Sequence, residues 1–350
     1  MASNLTHRYQ TGLGTVQQRL NTYSAVNEDD DTVFFLKTVF THLPPQGRAN
    51  LVDDAVGCHT DADLKLLAEC IDVGMLRPVK ALSGRTPRVE TLSRNPRDRN
   101  NLEELIRDSD LDLDPLDREQ MLEQESLRRD CLQRDGNRCA VSGFYDGRLE
   151  PQDSRIPCGG KRACLVAAHI LPFSMGAFQT DDDDERRRAS AIWANIYRYF
   201  PYLRGFYLDN LNGPRNAMML EKALQDQFGN FKFALESTEI EHQYRSKLFS
   251  DFLDGYELFL PSSRMVTFTS RDGRFGLPEP GLLAVHAAIA EILHATGRGG
   301  MVDEMMREYE ATRVLSRDGR SDISGLLSIS QLSLMDHSRT PKGGSPPALL

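Results

Sequence analysis

The sequence predicts an α+β protein: a helical N-terminal region, a central strand–strand–helix unit, and a C-terminal β-hairpin followed by a helix. Three observations carry this reading. Apolar residues recur at spacings of three and four through residues 32–80 and again through "GLLAVHAAIAEILHATG", as helices with one packed face require. Between these stretches, "CLVAAHILPF" is a short apolar run ending at a proline, and "NFKFALE" alternates with period two, both of which suit strands. A hydrophobic content of 40% over 350 residues supports a packed core, and that length suits two domains or one domain with large extensions.

Taken in order, "TVFFLKTVFTHL" and "DADLKLLAECIDVGML" form helices, with Asp61 or Asp63 placed to cap the second, within a helical region spanning residues 1–83. "KALSGRTPRVETLSRNPRDRNN" loses periodicity and collects Gly, Pro, Arg and Asn, which opens a partly disordered, acidic linker over residues 84–115. "DREQMLEQESLRRDCLQRDG" predicts a helix stopped by Gly136 in the left-handed conformation. "NRCAVSGFYDG" reads as a short strand with turn signals, and "CLVAAHILPF" as a second strand. "DDDDERRR" reads as a loop before an aromatic helix, "ASAIWANIYRYFPYLRGF".

Next, "EKALQDQF" is a short helix closed by Gly229, and "YELFLPSSRMVTFTS" predicts a hairpin. The last helix sets Leu282, Val285, Ile289, Ile292 and Leu293 on one side, with His286 and His294 at the edge of the packed face and Gly297 at its end. These pieces group residues 116–313 as one unit, and residues 314–350, rich in Ser, Gly and Pro, as a disordered tail.

A net charge of −9 argues against a protein coated in positive charge, but the acidity is concentrated. Ten acids face two arginines between Glu103 and Glu125, whereas eight bases face five acids between Arg128 and Arg162. The start "MASNLTHRYQTGLG" lacks a basic-then-apolar signal pattern, and no run approaches the ~18 apolar residues of a membrane span. The expectation is a soluble, intracellular protein without a membrane partner, in nucleus or cytoplasm. The six cysteines read as free thiols, and a zinc site from Cys139, Cys158, Cys164 and His169 lacks the usual Cys-x-x-Cys pair. A nucleophilic serine elbow, a Walker loop and a dinucleotide glycine pattern are all missing.

Chemistry concentrates on "CLVAAHILPFSMGAF", the least polar run in the middle of the chain, with His169 inside it. A histidine in such a strand either has a reaction to perform or a well-placed hydrogen-bond partner. "LQRDGNRCAVSG", "VAAHILPFSMG" and "NGPRNAMMLEKALQDQFGNFKFALE" describe a strand bearing a histidine, a turn bearing asparagines, a second strand and a short helix. This resembles the ββα-metal, or HNH, nuclease fold, and most closely the HNH-domain proteins common in fungi. Those proteins share an Arg-Cys-x-x-(Thr/Ser)-Gly opening, an Ala-Ala-His-Ile-x-Pro-Phe strand and an Asn-(Gly/Ala)-x-x-Leu turn. The resemblance covers most of residues 127–300.

It implies a metal-dependent endonuclease that hydrolyses DNA phosphodiester bonds. An imidazole with a pKa near ~6.5 suits activation of water, and a divalent ion such as Mg²⁺ suits charge stabilisation at the phosphate. By resemblance His169 is the general base, and Asn216 holds the loop and orients that base. The family's helix histidine, a metal ligand, is here Gln225, its frequent aspartate two residues earlier is Ala223, and Ala168 precedes the base. Glu221, four residues before Gln225, is a candidate compensating ligand, with Asp209 or Asp226 nearby. Arg215, Arg138 and Lys161 are candidate nucleic-acid contacts, and the helical N-terminal region is a candidate surface for a protein partner. The competing expectation is a degenerate HNH-fold protein that binds nucleic acid or protein, its acidic segment mimicking nucleic acid or screening the site.

Overall fold

An antiparallel pair of five-residue strands sits at the centre of the fold. β3 (Leu165–His169) runs against β4 (Ala217–Glu221), pairing Leu165 with Glu221 and His169 with Ala217. All five β4 residues are buried, which explains its unbroken apolar run. The helix α8 (Lys222–Gly229) follows directly and packs on both strands. The strand–strand–helix order expected from the sequence is therefore present in a protein of mixed helix and sheet. The computed structural model describes residues 2–84, 115–150, 152–175, 183–206, 211–271 and 273–312. The interior of the expected linker, Asp209 and the tail at 314–350 lie outside the described residues.

Five helices form the N-terminal region: α1 (Ala2–Thr22), α2 (Thr32–His42), α3 (Pro45–Gly57), α4 (Asp61–Ile71) and α5 (Arg77–Leu82). Thr60, not Asp61 or Asp63, caps α4. Its hydroxyl accepts the Asp63 amide while the Asp63 carboxylate accepts the Thr60 amide, a reciprocal box in which the aspartate holds the third helical position. A π-helical turn at Asp72–Leu76 joins α4 to α5, and the buried Asp72 there pairs with Arg77 and Arg298.

The helix α6 (Pro115–Arg134) ends just before Gly136, whose φ of 67° is the left-handed stop expected of it. Its last residue, Arg134, is fully buried. It forms a two-pronged pair with Asp135 and donates to the carbonyls of Pro214, Gly276 and Ala217. Asp135 in turn accepts the Met219 amide, so this pair locks the chain entering β4. A short parallel pair, β1 (Tyr145–Asp146) and β2 (Arg162–Ala163), precedes β3.

Two expectations need correction here. Helix α7 (Asp183–Tyr199) begins inside "DDDDERRR", where the sequence predicts a loop. Acidic residues in a first turn complement the positive end of the helix dipole, so the charge block starts the helix. The predicted hairpin at 256–270 is replaced by a three-stranded meander, β5 (Phe233–Ser237), β6 (Gln243–Leu248) and β7 (Met265–Thr267). Tyr256 and Phe259, three apart, lie in a 3₁₀ segment, while the polar β6 escaped notice because it buries little more than Tyr244 and Ser246.

Helix α9 (Pro280–Thr296), ended by Gly297 at φ 71°, packs on β5 and α2, and α10 (Arg298–Thr312) packs on α5. Buried side chains from Val16 to Met306 make one hydrophobic cluster. The N-terminal helices thus share a core with the strands, which brings the end of α5 against α8. No described helix is long and apolar enough to cross a membrane.

Candidate active site

His169 is the last residue of β3, where the ladder opens toward the 211–216 turn. Its Nε2 lies 3.0 Å from Asn212 Oδ1, which also accepts from Gln124 Nε2, while Asn212 Nδ2 donates to Glu123. Since the amide oxygen can only accept, the imidazole proton is held on Nε2. Nδ1 is left with its lone pair, buried and without a hydrogen-bond partner among the described residues. Desolvation brings the pKa down from 6.5 to about 4, against a smaller upward pull from Asn212, so the ring is neutral at pH 7.

Asn216 is fully buried and acts on the backbone. It accepts the Leu171 amide and donates to the carbonyls of Leu171 and Leu211, each within 2.9 Å. These bonds tie the segment after β3 to the 211–216 turn, while the ring contact belongs to Asn212. Sequence reasoning missed Asn212 because three asparagines stand between 210 and 216 and spacing alone does not single one out.

Gln225 and His169 line one cavity of about 20 Å³, room for about one water. Gln225 is buried, and its side chain makes no hydrogen bond among the described residues. The cavity is roofed by Leu82, Ser83 and Gly84 at the end of α5, and His286 of α9 forms part of its wall. The roof is tightly seated: a β-carbon on Gly229 would stand 2.6 Å from the Gly84 α-carbon. Buried Lys80 adds a second tie, bonding the Asn230 carbonyl and pairing with Asp303.

His286 does not sit at the edge of the packed face; it is 1% exposed and sandwiched between Phe228 and Phe231, ring centroids 3.8 and 4.5 Å away. Its Nε2 bonds the Phe228 carbonyl at 3.0 Å, and its Nδ1 is buried without a partner among the described residues. His294 instead bonds the Phe231 carbonyl and stacks on Phe249.

The structure places Glu221 elsewhere. It is the N-cap of α8, its carboxylate accepting the amides of Ala223 and Leu224, so it shares no helix face with Gln225. It also pairs with Leu165, four residues along β3 from His169, a separation of roughly 14 Å at the rise of an antiparallel strand. Burial raises its pKa. The three cations expected at nucleic acid all have intramolecular partners: Arg215 pairs with Glu279, Arg138 lies over Tyr145, and Lys161 lies over Phe144. None of the six cysteines is in a disulfide, and Cys139 accepts the amides of Ser142 and Glu221 through its sulfur.

The site is thus a strand pair with a histidine at its open end, followed at once by a short helix that lines the same cavity. Residues 139–236 match the sequence model of the HNH endonuclease family, a span that holds His169, Asn212, Asn216 and Gln225 and excludes His286. This supports an HNH nuclease-domain protein. No curated protein and no solved structure matches the chain.

HNH nucleases typically use divalent metal ions. The residues here do not make the oxygen-rich set that Mg²⁺ prefers. Gln225 replaces the helix ligand, Glu221 is committed to its cap, and no group of three or more His, Cys, Asp or Glu among the described residues is placed to hold a metal.

Proposed function

We propose that the chain is an HNH-type endonuclease acting on DNA phosphodiester bonds, with His169 as general base. The observation that carries this is the fixed tautomer: Asn212 keeps the proton on Nε2, so Nδ1 presents a lone pair that no group among the described residues uses. Such an atom can take a proton from an attacking water, a contribution worth about 10²–10⁴-fold in rate. Asn212 positions the ring, and Asn216 holds the Leu171–Pro172 turn that follows the base. A cavity of about 20 Å³ admits no phosphodiester, so Leu82–Gly84 must lift before substrate enters. Arg215, Arg138 and Lys161 are proposed DNA contacts that exchange their internal partners for phosphate, and the N-terminal helices would carry any protein partner.

A second reading is favoured by Gln225 and by the capping role of Glu221: a degenerate HNH-fold module that binds nucleic acid or protein without cutting. Plasmid nicking with Mg²⁺, Mn²⁺, Ni²⁺ or Zn²⁺ separates the two. The nuclease reading expects nicking by wild type, at least about 100-fold less by His169→Ala, and activity kept or raised in Gln225→His. Inert wild type and inert Gln225→His with every ion, alongside measurable DNA binding by fluorescence anisotropy, would establish the module instead.

A further inference from the structure

Asn212 can fix the proton of His169 only if its own amide is fixed, because an amide turned over would present Nδ2 to the ring in place of Oδ1. Two residues of α6 decide which way it faces. Glu123 accepts from Asn212 Nδ2 at 3.2 Å, and Gln124 Nε2 donates to Asn212 Oδ1 at 3.0 Å. The first contact is the decisive one. An ionised carboxylate only accepts, so it selects the nitrogen side of the asparagine amide, whereas a glutamine amide can rotate to suit either side. Both residues precede the span that matches the nuclease family, and both belong to the acidic run that ends at Glu125.

The helix that carries them is pinned beside the strand pair. Gln124 and Leu127 are buried, and Arg128, one turn after Gln124, pairs with buried Asp146 at 2.5 Å and reaches the Leu165 carbonyl. Glu125 adds a pair with Arg148 at 2.9 Å. Side chains set on so fixed a helix hold their partner to a narrow geometry. We infer that Glu123 and Gln124 are positioning residues for the general base: they set the Asn212 amide, and the amide sets the tautomer of His169. The inference rests on the nuclease reading for its consequence in catalysis, while the tautomer itself belongs to the folded chain. Reversing this relay would leave the ring in place yet put its proton on Nδ1, the atom that must be bare to take a proton from water. The end of the acidic run thus has a place in the site that neither mimicry of nucleic acid nor screening requires.

Glu123→Lys is the test, because it exchanges an acceptor for a donor at an exposed position. The introduced ammonium donates to Asn212 Oδ1, the amide turns over, and Nδ2 then donates to His169 Nε2. Nitrogen-15 NMR of the full chain without DNA, with labelled histidine rings and the His169 signals assigned by their loss in His169→Ala, reads which nitrogen is protonated. Wild type is expected to carry the proton on Nε2 and Glu123→Lys on Nδ1, with nicking down by about 100-fold or more. Glu123→Gln, whose amide can still accept, is expected to keep the wild-type tautomer. Adding Asn212→Asp to Glu123→Lys supplies a carboxylate that accepts from the ammonium, from Gln124 and from the ring at once. That pair is expected to return the proton to Nε2 and restore nicking, a rescue that a merely structural contact would not give. If His169 in Glu123→Lys is protonated on Nε2 as in wild type, or if wild type already carries its proton on Nδ1, the inference is overturned. A tautomer that moves as stated in a chain that nicks nothing would remove the nuclease reading and leave the positioning role. Nicking lost in His169→Ala but unchanged in Glu123→Lys, with the tautomer unmoved, would do the reverse.

Discussion

The two ends of the β3–β4 ladder each carry a polar residue that the sequence singles out, and the structure treats them in opposite ways. At the Leu165 end, one carboxylate oxygen of Glu221 accepts two backbone amides, and its own amide donates to the Cys139 sulfur. At the other end, His169 is oriented through one nitrogen and left bare at the other, beside a second histidine in the same condition. The lesson concerns satisfaction. A buried polar group whose capacity is used up is building the fold, while one held in place with capacity to spare is available for chemistry.

The contrast can be broken at several points. The largest effect is expected at Arg134, whose guanidinium anchors the turn entering β4 at the histidine end. Arg134→Ala leaves Asp135 buried without its partner and should cost about 3–5 kcal/mol, read as a fall in urea midpoint. An unchanged midpoint would mean that the turn is held by other contacts.

Acid should sharpen the difference between the ends. Burial holds the folded-state pKa at about 4 for His169 and about 3 for His286, both below the ordinary value of 6.5. The unfolded chain therefore binds more protons between these values, so stability is full above pH 6.5 and declines as pH falls toward 4 and below. Equilibrium urea unfolding between pH 7 and 4 should show this decline, flattened in a variant combining His169→Gln with His286→Phe. An equal slope in that variant would assign the acid sensitivity to the carboxylates.

A smaller effect is expected from the roof. Gly229→Ala places a β-carbon against Gly84. Overpacking of this kind costs about 1–3 kcal/mol, and displacement of the roof should speed modification of His169 by diethyl pyrocarbonate. A rate equal to wild type would show that segment 82–84 does not limit access. The smallest effect belongs to the Glu221 end, where loss of the cap in Glu221→Ala should cost about 1 kcal/mol and leave plasmid nicking unchanged. Weaker nicking by that variant would return Glu221 to the site.

Much of this architecture was legible in the chain. The helices follow from apolar spacing, the strand–strand–helix unit from "CLVAAHILPF" and "NAMMLEKALQDQFG", and the left-handed stops from Gly136 and Gly297. What misled was local grammar of equal strength for two outcomes: an acidic block that serves as loop or helix start, and aromatics three apart that fit a strand only loosely. His169 could be picked out because a polar ring interrupts an apolar run. The same signal stands at His286, where helical spacing alone predicts the edge of a packed face.

Periodicity, turn residues and the place of His169 at a strand end are properties of neighbours along the chain, since they depend on backbone preference and on which side chains leave water. Which nitrogen of His169 keeps its proton, that Glu221 is spent on a helix cap, and that His286 shares a cavity with Gln225 required the folded molecule. Hydrogen bonds act over about 3 Å, and the partners in question come from α6, the 211–216 turn, α5 and α9, which only the common core brings together.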